Sequence, residues 1–171
     1  MTSVVLFLGG LILMTLESVL LGVVPVHGWA LQTPLMVAIL VGLDRDFVPG
    51  ALVMLALFVP VEWFVGGIYG LYSLGLAAVF LAMQLLRGML QPQWGVARGV
   101  VGGIGALVHG VVLWGVLFLM GQSGGTVAQS VLWYFWLATP VVAVGTVLLG
   151  KGFARLETMM DPERRASGLS F

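Results

Sequence analysis

The sequence predicts an all-α fold, a polytopic integral membrane bundle of six transmembrane helices with both termini cytoplasmic. Three observations predict it. Of 171 residues, 60% are hydrophobic and only 8% are charged, with a mean hydropathy of +1.13. A soluble domain carries roughly a quarter charged residues, so water would meet far more apolar surface here than a fold of this length could hide. The apolar residues fall in continuous runs, which suit helices that satisfy their own backbone, rather than in the short alternating segments of a β-barrel. The Lys and Arg residues all fall on one side of those runs, as set out below.

A spanning helix needs about 20 apolar residues to cross about 30 Å of hydrocarbon. The first candidate is Val4–Val24, with one charge, Glu17. It is too long for the core of a cleavable signal and no Ala-x-Ala site follows, so it is expected to be retained. The second, Leu31–Leu43, is short and ends at the charged turn Asp44-Arg45-Asp46. Asp46 is placed to cap the third helix, Phe47–Val65, whose first turn tolerates Pro49 and which should kink near Pro60. A glycine-rich turn, Gly66-Gly67-Ile68-Tyr69-Gly70, leads to the fourth, Leu71–Leu86, stopped by Arg87. Gly88–Arg98 contains Pro92 and Trp94 and reads as an interfacial loop. The fifth helix is Gly99–Met120 and the sixth is Ala128–Leu149, with a kink expected at Pro140. Residues 1–150 thus form the membrane domain and 151–171 a short hydrophilic cytoplasmic tail.

Orientation follows from the basic residues. Arg45 lies between helices two and three, Arg87 and Arg98 between four and five, and Lys151, Arg155, Arg164 and Arg165 after six. These are all seven. The other three connections hold none, and only a six-helix count puts every basic residue on one side.

Composition also excludes classes of function. Net charge is zero, so no basic field attracts nucleic acid. Cysteine is absent, which removes disulfides, thiolate metal sites and thiol catalysis. The 25 glycines suit close helix packing in lipid. Gly99 and Gly103, and Gly102, Ala106 and Gly110, form a small-residue stripe on helix five, read as internal packing; Gly9 and Gly10 do the same on helix one. Trp29, Trp63, Trp94 and Trp133 sit at expected interfaces, as belt residues do.

Three ionisable residues lie within the apolar runs: Glu17, Glu62 and His109. Such groups are costly in hydrocarbon and mark candidate sites. Glu62 either snorkels to water beside Trp63 or makes a specific contact. Glu17, deeper, is expected to face the bundle or a polar cavity. His109 reads as a hydrogen-bonded structural histidine rather than a ligand. Their spacing matches no metal or catalytic motif, so no catalytic residue, metal or cofactor is expected.

The segment Thr33–Leu86 resembles the core of the rod shape-determining MreD family. The features are Pro34 at the start of helix two, the turn Asp44-Arg45-Asp46, the acidic Glu62 near the end of helix three, then Gly66, Gly70 and Leu71 leading into helix four. The family position of Glu62 is commonly Asp, the residue after Pro34 is here Leu35, and helices five and six match in hydropathy only. Independently of the family, an acidic side chain before a Gly-x-x-x-Gly turn can accept bonds from the free N–H groups that open the next helix.

The resemblance implies a non-enzymatic subunit of the bacterial elongation machinery in the inner membrane. It would bind the bitopic membrane protein MreC and, through it, the complex of RodA and a class B penicillin-binding protein, with MreB indirectly. The function implied is scaffolding and regulation of the peptidoglycan synthesis that sets cell shape. The alternative is a substrate-binding subunit of an energy-coupling-factor vitamin transporter, of similar size. Such a subunit commonly carries an Ala-x-x-x-Ala stripe on helix one, which is lacking here.

Overall fold

A computed structural model describes residues 2–23, 32–65, 68–87, 95–121 and 125–160. Among these the regular structure is all helical, in six helices: α1 (Thr2–Val23), α2 (Thr33–Asp44), α3 (Phe47–Val65), α4 (Leu71–Arg87), α5 (Gly95–Leu119) and α6 (Gly125–Met160). Four of them contain stretches long and apolar enough to cross a membrane; α2 and α4 are apolar but shorter.

The short α2 is the axis of the bundle. Its sequence, TPLMVAILVGLD, is apolar on every side, the mark of a helix buried all round. Every residue from Gln32 to Leu43 is buried, and α2 touches each of the other five helices. At 12 residues it is about 18 Å long. Pro34 sits in its first turn, where a missing N–H costs nothing.

The surrounding helices each turn one stripe inward. On α3 it is Gly50, Val53, Met54, Leu57 and Val61; on α4 it includes Tyr72, Leu76, Val79, Phe80 and Met83. The opposite stripes, such as Val4, Leu8, Ile12 and Leu16 on α1, are apolar and exposed. Surfaces of that kind are an aggregation liability in water and are the natural outside of a bundle in hydrocarbon.

Glycines set the closest approaches. A Cβ on Gly102 would lie 2.8 Å from Thr146 Oγ1 and 3.4 Å from Ala143 Cα, so the small-residue stripe of α5 packs against α6. A Cβ on Gly9 would lie 2.6 Å from the Phe153 ring, and one on Gly10 would lie 3.1 Å from Val37.

Two expected boundaries are corrected. The segment Gly88–Arg98 is not loop throughout, because α5 already begins at Gly95. Arg98 lies inside this helix and pairs with Asp44 across the bundle at 2.8 Å. Nor does the last helix end at Leu149: α6 continues to Met160, so residues 151–160 belong to it. Phe153 explains the continuation, being buried against Gly9 of α1. The 36 residues of α6 measure about 54 Å, well beyond the thickness of a hydrocarbon core. Trp29, Gly66, Trp94 and the tail after Met160 lie outside the described residues.

Candidate functional site

The polar groups gather at the two ends of the bundle. At one end, two carboxylates each cap a neighbouring helix. The first four N–H groups of a helix have no partner within it. The N-cap residue of α2, Gln32, makes no side-chain cap bond, and Glu17 on α1 supplies the acceptor. Its two carboxylate oxygens take the backbone N–H groups of Gln32 and Thr33, each at 2.9 Å. Glu17 thus faces the bundle, and what it meets is backbone.

Glu62 repeats the arrangement for α4. One oxygen accepts from Gly70 N–H at 3.0 Å. The other accepts from Ser73 N–H at 2.9 Å and from the Ser73 hydroxyl. Three donors thus converge on one carboxylate at a helix end that is partly positive, the setting in which an acidic cap holds best. Gly70 makes the reversal possible, with φ of +85°, a conformation that side chains disfavour. Leu71 follows as the first helical residue. Trp63 and Tyr69 flank this turn, more than four-fifths exposed.

His109 is completely buried on α5, next to the same turn. Its ring meets Tyr72 edge-on, with centroids 4.7 Å apart, and hydrogen-bonds the Tyr72 backbone. Gly75 makes room for it: a Cβ there would lie 2.7 Å from His109 Cδ2. Tyr72 and Ser73 are consecutive, so the first turn of α4 links Glu62 on α3 to His109 on α5. Glu17 reaches α2 instead. Among the described residues no group of three potential metal ligands converges.

The other end is held by ion pairs around the α2–α3 turn. Arg98 of α5 pairs with Asp44 at 2.8 Å and Arg87 of α4 with Asp46 at 3.1 Å. Gln84 donates to the Arg45 carbonyl at 2.8 Å. The Asp46 backbone carbonyl accepts from Gly50, while its carboxylate reaches Arg87 rather than ending at the α3 cap.

Reasoning from sequence singles out Glu17, Glu62 and His109 but not their partners Gln32, Thr33, Tyr72 and Ser73. A Ser three residues past a turn glycine, downstream of an acidic residue, is the available signal for Ser73. No family model, curated protein or solved structure matches this chain.

Proposed function

We propose that the chain works as MreD-family proteins do: a non-enzymatic, six-span subunit of the bacterial elongation complex in the inner membrane, with both termini cytoplasmic. In this reading α2 and α4 cross the membrane with the four longer helices. The carboxylates of Glu17 and Glu62 mark the outer end, and Arg45, Arg87, Arg98, Lys151 and Arg155 the cytoplasmic end, as the positive-inside rule asks.

The observation that carries the proposal is the cap of α4 by Glu62. The residues of the resemblance fall at structurally meaningful points: Pro34 opens α2, Asp44-Arg45-Asp46 forms the charged turn, Glu62 closes on Gly70, and Leu71 opens α4. The polar groups are engaged in holding helices to one another, which suits a protein that presents a rigid surface to partners. The expected neighbour is the spanning helix of MreC. Through it the bundle would scaffold and regulate the RodA–penicillin-binding-protein synthase and, indirectly, MreB.

The test is purification of the tagged chain from membranes in mild detergent. Copurification of a bitopic coiled-coil protein, and rounding of cells on depletion, are the expected results. A vitamin bound in the outer half of the bundle, with no partner and unchanged cell shape, would overturn the proposal.

A further inference from the structure

An apolar groove of about 460 Å³ runs between α5 and α6. Gly99, Gly103 and Ala143 form its floor, and Val100, Val144 and Leu148 are among its walls. It exists because α5 carries glycine where α6 comes close: a Cβ on Gly99 would lie 3.3 Å from Val147 Cγ2, and one on Gly103 would lie 3.6 Å from Thr139 Cγ2. With hydrogen at those positions, the floor lies low between branched side chains of the two helices, Val96 and Val100 on α5 and Val144, Val147 and Leu148 on α6. The groove follows the helix axes, the direction in which an acyl chain runs.

Its lower end is charged. Val144, Leu148, Lys151 and Arg155 are spaced four, three and four residues apart, one face of α6, and all four are exposed. Lys151 lies three residues beyond Leu148, about 4.5 Å further along the helix. Among the described residues Lys151 has no ion-pair partner. The described helices place Arg45, Arg87, Arg98, Lys151 and Arg155 at this end, against Asp44, Asp46 and Glu157, so positive charge is in excess.

We propose that this groove holds one acyl chain of an anionic phospholipid from the leaflet at the basic end, with its headgroup at Lys151. Charge complementarity selects this occupant. A helix is about 10–12 Å across with its side chains and would lay only a few of them in the groove, and an apolar helix gains nothing from a lysine at the rim. A phosphate headgroup does, and Lys151 can extend its ammonium to headgroup level while its stem stays on apolar surface. The inference rests on the membrane placement proposed above but not on the scaffolding role.

Native mass spectrometry of the full-length protein tests it, after reconstitution in equal amounts of phosphatidylglycerol and phosphatidylethanolamine. The wild-type chain should retain phosphatidylglycerol preferentially. Lys151→Gln should lower the ratio of anionic to zwitterionic lipid about fivefold, the scale of one lysine at an anionic surface, while lipid is still retained. Val144→Phe, at an exposed position, should fill the groove and lose both lipids. An unchanged ratio in Lys151→Gln, full retention in Val144→Phe, or a dimer mass that Val144→Phe converts to monomer would overturn the inference, the last in favour of a second copy. Scoring the coiled-coil partner in the same preparations separates the two readings: lipid lost from the wild type with partner kept refutes only this one.

Discussion

Glu62 holds Ser73 twice, through the backbone N–H and through the hydroxyl, both on one carboxylate oxygen. The other oxygen takes Gly70, so one side chain on α3 fixes the first turn of α4. Glu62→Gln keeps the shape but has only one accepting oxygen, so it removes the charge and leaves either Gly70 N–H or the Ser73 donors without an acceptor. It is expected to cost about 1.5–3 kcal/mol. Ser73→Ala removes one bond and leaves the backbone cap, at about 0.5–1.5 kcal/mol. Unfolding of the two variants in detergent should rank them in that order; equal losses would mean that the hydroxyl, not the capped backbone, carries the contact.

The contact of Gly75 with His109 predicts a non-additive pair. Gly75→Ala puts a methyl 2.7 Å from Cδ2 of a fully buried ring, and the overpacking should cost about 1–3 kcal/mol. In a His109→Ala background the methyl meets no ring. There the same change should cost much less, or stabilise α4 through the better helix propensity of Ala. A double-mutant cycle measures the difference, and simple additivity would refute the packing argument.

Two glycines with open space around them should respond in opposite directions. A Cβ added at Gly70 or at Gly115 would meet no atom within 4 Å, but of the two only Gly70 has a positive φ, +85°. Gly70→Ala is expected to destabilise by about 1–2 kcal/mol through backbone conformation. Gly115→Ala, inside α5, should stabilise by about 0.5–1 kcal/mol. A Gly70→Ala variant as stable as the wild type, or a loss in Gly115→Ala as large as that in Gly70→Ala, would refute the argument from φ.

Much of this architecture is legible without any knowledge of contacts. The apolar runs locate the helices: the expected bounds of α3 are the observed ones, and those of α1, α2 and α4 differ by no more than two residues. Glu62 is readable as a cap because its target begins only eight residues away, across a glycine turn. The target of Glu17 is not: which backbone it meets depends on how α1 approaches α2 in space. The limits of α5 and α6 escape a sequence reading for one reason. Arg98 and Lys151 sit where the apolar runs break, but Lys and Arg are good helix formers, and tertiary contacts carry the helices past them: Asp44 meets Arg98 across the bundle. Beyond Lys151, the burial of Phe153 carries α6 on.

The chain offers a direct test of its topology because it contains no cysteine, so any introduced thiol is unique. Tyr69 follows α3, is about four-fifths exposed, and lies at the Glu62 end. Arg155 is exposed on α6 at the opposite, basic end. With six spans and a cytoplasmic basic end, Tyr69→Cys should react with a membrane-impermeant maleimide in intact spheroplasts. Arg155→Cys should react only after permeabilisation. The expected contrast follows from charge placement and from the two ends of the bundle being separated by the hydrocarbon core, about 30 Å thick. Labelling of both positions from the same side would refute the six-span arrangement, and a reversed pattern would refute its orientation while leaving the fold intact.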